Sequence, residues 1–224
     1  MSDEIPQSDR IEGAPHPRDT LHLFGQSSAE AEFLAAYTSG RLHHGWLITG
    51  PKGIGKATLA WRIARFLLAT PDDDGSMFAP PPPTSLDIAA DHPVARRMAA
   101  QAEGRFFLLR RAYDEKKAKL AEIISVDEVR KLKNYFSLSS ADGGRRVAIL
   151  DCLDEMNPQA TNALLKLLEE PPARVTLLLI AHQPARLLPT IRSRCRELRL
   201  APLPPQALSD ALTQAGGEVA PQQR

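Results

Sequence analysis

The sequence predicts an α/β fold, a parallel sheet of about five strands covered by helices on both faces. Three observations lead there. Short apolar runs at 44–50, 105–111, 145–151, 175–181 and 196–200 alternate with helix-patterned segments. Several of these runs are continuously apolar, as strands buried on both faces are. A Gly-rich loop joins the first strong run to a helix. The length of 224 residues, with 43% hydrophobic and 25% charged residues, suits one sizeable domain plus a fragment of another.

Residues 1–20 are polar, contain several Pro and Asp, and lack periodicity. They read as a flexible lead-in and not as a secretory leader, which needs an apolar core. "SSAEAEFLAAY" (27–37) has helix-forming composition, and "HGWLITG" (44–50) is a buried strand. In "KATLAWRIARFLLA" (56–69), apolar residues at 59, 60, 63, 66, 67 and 68 give a helix with a broad buried face. Residues 70–93 change character, with an acidic turn and the run Pro80 to Pro83. That run fits neither helix nor central strand and reads as an exposed polyproline excursion.

A short helix near 94–103 and a strand at 105–111 follow, then a charged connection at 113–123 that reads as a surface loop or frayed helix. "SVDEVRKLKNYFSL" (125–138) opens with Ser125 and Glu128 at capping-box spacing. Its apolar positions 126, 129, 132, 135 and 136 form an inner face. "DGG" (142–144) is a turn before the strand "RRVAILD" (145–151). Pro158 starts, and a Pro-Pro pair stops, the helix in 157–172. After the strand 175–181 come a short helix or turn in 184–195, a last strand at 196–200, and a short helix near 206–215. The main domain is therefore expected over 21–202, with 203–224 as a helical stub and tail.

Bulk chemistry excludes little but narrows the setting. A net charge of +1 provides no global basic field for nucleic acid, so DNA contact would need a local patch. Lys116, Lys117 and Lys119 are the nearest thing to one and read better as a solvated loop. Cys152 and Cys195 lie far apart in sequence and suggest no metal cluster; a reducing cytoplasm is the simplest setting. No apolar run approaches the ~18–20 residues of a membrane span.

The loop "GPKGIGKAT" (50–58) nearly fits G-x-x-x-x-G-K-[ST]. Gly50, Pro51, Lys52, Gly53, Ile54, Gly55 and Lys56 match in type and spacing. Such glycines let backbone N–H groups cradle phosphate, and the helix N-terminus and the Lys add positive potential. The hydroxyl that should hold Mg²⁺ is replaced by Ala57. Thr58 comes one residue late, about 100° further round the helix, and is expected to point elsewhere. Asp151, ending an apolar strand, stands where such proteins keep an Mg²⁺-directed acid (Walker B). Its neighbour, usually a Glu that activates water, is Cys152. Asp154 and Glu155 read as solvated acids beyond the strand end.

"NPQATNALLKLLEEPP" (157–172) and "LLPTIRSRC" (187–195), with "HHGWLITGPKGIGKATLA" (43–60) and "ISVDEVRKL" (124–132), resemble the clamp-loader branch of the AAA+ family. The resemblance covers about residues 21–205. It implies a P-loop AAA+ domain with a central parallel sheet, followed by the start of a small helical lid. It implies that Ser193, Arg194 and Cys195 form an S-R-C motif whose Arg194 acts in trans, as an arginine finger on the nucleotide of a neighbouring subunit. A planar, permanently charged guanidinium suits that task. Sensor 1 would fall at Ala181 or His182, where Thr or Asn is usual. The four-Cys zinc module of many members cannot form, because 70–105 contains no Cys. A helical collar would lie beyond the lid, and the chain stops just inside the lid.

The resemblance therefore implies a loader subunit without intrinsic ATPase, in a hetero-oligomer that places a sliding clamp on primed DNA. ATP and Mg²⁺ binding is expected to be weakened. Two alternatives stay open at this point. One is an active ATPase in which Thr58 or Asp154 replaces a missing group; the other is a module holding a structural nucleotide.

Overall fold

The computed structural model describes residues 5–11, 13–71, 81–137 and 144–216. Helix α1 (Ser27–Thr38) leads to strand β1 (Gly45–Thr49), the Gly-rich loop and helix α2 (Lys56–Ala69). Helix α3 (Pro93–Ala99) precedes strand β2 (Phe106–Arg110). Two short strands, β3 (Tyr113–Asp114) and β4 (Lys119–Leu120), form an antiparallel hairpin. Helix α4 (Val126–Ser137), strand β5 (Arg146–Asp151), helix α5 (Pro158–Glu169) and strand β6 (Val175–Ala181) follow. A short helix α6 (Pro189–Arg192), strand β7 (Arg196–Arg199) and helix α7 (Pro205–Gln214) end the described chain.

The main sheet has five parallel strands in the order β2-β5-β6-β1-β7. Alternation along its strands sends side chains to two cores. Trp46, Ile48, Val147, Ile149, Leu178 and Ile180 face α1, α2 and α3. Leu47, Ala148, Leu150, Leu177 and Leu179 face α4 and α5. Both layers bury apolar surface on a sheet whose two faces are covered, which is why the central runs carry no polar alternation. Helix α2 is buried nearly all round, including Arg62 and Arg65. Arg62 is satisfied by Glu30 (2.7 Å), Asp87 (2.8 Å) and the Leu21 carbonyl, so its buried charge is paired.

One local expectation changes. The charged connection at 113–123 contains a hairpin, because Asp114 accepts from the backbone N–H of Lys116 and Lys117 and closes its turn. The short helix or turn expected in 184–195 is a 3-10 turn at 184–186 and the single turn of α6, with a Pro starting each. Glu128 takes an ion pair from Lys131 at 2.8 Å. Pro80 and the acidic turn before it lie outside the described residues, as do residues 138–143 and the tail from 217.

The segment read as a loose lead-in is packed where it is described. The Asp9 side chain is 1% exposed, bonded to His16 (3.1 Å) and to Arg110. His16 meets Trp61 edge-on at 5.8 Å. Arg65 donates to the Arg18 carbonyl at 2.8 Å, and Arg18 and Arg110 both donate to Gln7. Composition gave no hint of this, because the partners come from α2 and β2, about 45–100 residues away.

Phe33 is fully buried, 4.9 Å from Trp46 and edge-on to Phe66. Phe33→Ala is expected to cost about 3–5 kcal/mol in chemical denaturation. Arg110→Ala is expected to release the N-terminal segment, making limited proteolysis within residues 5–20 several-fold faster while the sheet stays intact.

Candidate functional site: a degenerate phosphate loop and a remote arginine

The carboxyl ends of β1, β5 and β6 meet beside the Gly-rich loop. Gly50 has φ +139°, and a Cβ there would sit 2.7 Å from the Leu200 carbonyl oxygen. Gly55, at φ +96°, is the left-handed residue from which α2 starts. Ile54 is buried and fastens the loop to the core, while Pro51, Lys52 and Gly53 are exposed. Gln26 pins the loop further, donating to the Ile54 and Ala201 carbonyls at 3.2 and 2.8 Å. A cavity of about 310 Å³ lies along the loop, walled by Lys52–Thr58, Asp151, His182 and the N-terminal segment. Both Ala57 and Thr58 contribute to that wall.

Two charged groups beside this cavity, Lys56 and Asp154, are engaged by the protein's own backbone. Lys56 points its ammonium at loop carbonyls, Gly50 O (2.8 Å) and Pro51 O. Burial lowers its pKa, an effect that Asp151 and Asp154 partly counter. Burial, with the charges of Asp9 and Glu155, pushes Asp151 up to about 7. Asp9 itself is pushed up by burial, but the His16 hydrogen bond and the Arg110 charge hold it below the usual carboxylate range. Burial raises Cys152 to about 12, so it is a neutral thiol and no base. Mg²⁺ needs near-octahedral oxygen ligands. Here Asp151 keeps a carboxylate at the strand end, while the hydroxyl expected beside it is a methyl at Ala57, and the sulfur of Cys152 and an imidazole nitrogen of His182 lie close to Asp151.

Asp154 and Glu155 are not simply solvated. Asp154 accepts from the His182 and Gln183 backbone N–H groups at 2.6 and 3.0 Å. Glu155 ion-pairs with Arg111 at 2.8 Å. Both are committed to holding the turns that follow β5 and β6. Ala181 is fully buried at the end of β6, and His182 reaches the cavity wall. Sequence reasoning missed Asp9, His16 and Arg110, because the pairing joins an aperiodic segment to a distant strand.

The S-R-C residues lie at the other end of the sheet. Arg194 O and Cys195 Sγ would be 3.4 and 3.3 Å from a Cβ on Gly45, the first residue of β1. The loop begins past the last residue of that strand, four residues or about 13 Å further on. Arg194 is about one-third exposed, paired with Glu169 at 2.8 Å and donating to the Thr190 carbonyl at 3.0 Å. Ser193 is exposed, and burial raises the Cys195 thiol to about 12.

A five-stranded parallel sheet with this strand order, and a Gly-rich loop between β1 and α2, defines a P-loop protein of the AAA+ kind. A RuvB variant from Thermotoga maritima has a similar fold, with a TM-score of 0.50 at 16% identity over 91% of this chain and 54% of that one. A family model described as "DNA polymerase III, delta subunit" matches residues 25–204, and the chain belongs to that family. It is 39% identical over 166 residues to the DNA polymerase III subunit delta' of Pseudomonas aeruginosa, covering 74% of this chain and 45% of that protein. With subunit delta' of Escherichia coli K12 it is 31% identical over 175 residues, 78% of this chain and 47% of that protein. The chain thus spans about half the length of these curated relatives. Among the described residues no helix is long and apolar enough to cross a membrane.

The raised Asp151 pKa has a consequence for stability. The unfolded carboxyl ionises near its ordinary 3.8 and the folded one near 7. Between these values the unfolded state releases its proton first, so this residue makes folding less favourable as pH rises through the window. In chelator-containing buffer, Asp151→Asn is expected to leave stability unchanged near pH 3. At pH 8 it should raise stability by about 2–4 kcal/mol, read from urea midpoints.

Proposed function

We propose that this chain is the AAA+ domain of a clamp-loader subunit of the delta-prime type, a component of DNA polymerase III that hydrolyses no ATP itself. The observation that carries the reading is the placement of Arg194. It sits beside the first residue of β1, across the sheet from the chain's own phosphate loop, and so cannot serve its own cavity. A one-third-exposed guanidinium held by a part-exposed carboxylate and one backbone carbonyl is released at modest cost, since such ion pairs contribute roughly 0–1 kcal/mol. Arg194 would leave Glu169 to stabilise phosphoryl charge on the nucleotide of an adjacent subunit. The partners on this reading are the delta and tau/gamma subunits, and through the complex the sliding clamp and primer-template DNA, in the cytoplasm.

The donor set at Ala57, Asp151, Cys152 and His182 supports a non-motor role. Asp154, the candidate replacement acid in an ATPase reading, is held by two backbone N–H groups. Thr58 on the cavity wall is what favours the ATPase alternative.

Two measurements test this. In a loader reconstituted from full-length subunits with clamp and primed DNA, Arg194→Ala should lower ATP turnover at least tenfold, and Arg194→Lys should recover little of it. An unchanged rate would count against the trans role. The isolated chain with Mg²⁺ and ATP should show no turnover above background. Clear turnover abolished by Lys56→Ala would establish the ATPase alternative.

A further inference from the structure

The substitutions that spoil the Mg²⁺ site leave three other donors together. Asp151 ends β5, Cys152 follows it, and His182 follows the neighbouring strand β6. A carboxylate oxygen, the Cys152 sulfur and an imidazole nitrogen lie within 4.8 Å of one another. We propose that Asp151, Cys152 and His182 form a zinc-binding site at the floor of the loop cavity.

Four observations carry the site. The donor set is oxygen, sulfur and nitrogen, which suits a borderline-soft divalent ion and not Mg²⁺ or Ca²⁺. A tetrahedral zinc site, with bonds of about 2.0–2.3 Å, places its ligand atoms roughly 3.3–3.7 Å apart. Donors already within 4.8 Å reach that geometry by moves on the order of 1 Å. The second observation is independent of spacing. Nδ1 of His182 is buried and has no hydrogen-bond partner among the described residues. A buried imidazole nitrogen left unpaired is costly, and metal coordination satisfies it.

The third is rigidity. Asp154 fixes the His182 backbone through its N–H, and Glu155 N donates to the Cys152 carbonyl at 3.2 Å. These contacts hold the ligand-bearing backbone as outer partners do in metal sites. The fourth is charge. Asp9, Asp154 and Glu155 lie within electrostatic reach of Asp151 or Cys152, and with Lys56 and Arg110 also close to Asp151 the acids around the donors outnumber the cations that face it. Asp151 and His182 also line the cavity, so a fourth coordination position opens onto it for water or an anionic oxygen. On binding, the Cys152 proton is released and its sulfur ligates as thiolate.

The site is distinct from the four-Cys module that the stretch 70–105 lacks. It explains the pairing of Cys152 with His182 at two strand ends where oxygen-bearing side chains would serve Mg²⁺. On this view the cavity floor has exchanged a hard-ion site for a soft-ion one.

The test uses the whole chain, reduced and stripped with chelator. Cobalt(II) is added as a spectroscopic stand-in for zinc, followed by zinc competition. One equivalent of cobalt is expected to bind with a sulfur-to-metal charge-transfer band, which stoichiometric zinc bleaches and a thousandfold excess of Mg²⁺ does not. Cys152→Ser and His182→Ala should each weaken binding at least a hundredfold, while Cys195→Ser should leave it within twofold. Since either ligand variant could unfold the chain, wild-type thermal unfolding provides a separate reading: zinc should raise the midpoint by several degrees and Mg²⁺ should not. No cobalt uptake at low micromolar concentration overturns the proposal. So does a band that survives in Cys152→Ser or disappears in Cys195→Ser.

Discussion

Strand β1 is the element on which the rest depends, because it is hydrogen-bonded in parallel on both sides, to β6 and to β7. Its five residues are all buried. Parallel pairing sets both neighbours in the same direction, so every strand delivers its carboxyl end to one edge. The Gly-rich loop, Asp151 and His182 therefore converge at that edge without being neighbours in sequence. The same constraint sends the turn before β7, with Arg194, to the opposite edge. The Gly at position 45 is part of this arrangement, since a Cβ there would crowd Leu168, Cys195 and the Arg194 carbonyl at 3.1–3.4 Å.

The two edges carry different chemistry. At the loop edge the architecture for cradling phosphate remains, but its charges are turned inward. Lys56 serves carbonyls of its own loop, Asp154 serves two backbone N–H groups, and Asp9 closes on Arg110 and His16. These are satisfied buried contacts, and satisfied groups stabilise a fixed shape better than they support turnover. At the opposite edge Arg194 is part-exposed and weakly held.

Much of the fold was legible. Five short runs, several of them continuously apolar, marked the parallel sheet, because central strands covered on both faces have no solvent side to record. Pro158 marked the start of α5, and Asn157 caps it by accepting from Ala160 N at 2.7 Å. The hairpin at 113–120 was missed because two-residue strands carry no measurable period. The losses at Ala57, Cys152 and His182 were legible as residue types at motif positions. Their mutual geometry was not, since Cys152 and His182 are thirty positions apart and meet only because β5 and β6 are adjacent.

By itself, then, the sequence determined the α/β class, the phosphate-loop pattern, the absence of a hydroxyl at Ala57 and of an acid at Cys152, and the presence of an S-R-C arginine. These follow from local composition and spacing, which fix secondary structure and donor type. Tertiary structure alone decided that Arg194 sits at the opposite end of β1 from the loop, paired with Glu169. It also decided that residues of 5–11 and 13–20 line the cavity, and that donor atoms of Asp151, Cys152 and His182 lie within 4.8 Å of one another. Strand order and burial set those outcomes, and neither is encoded within any short stretch of chain.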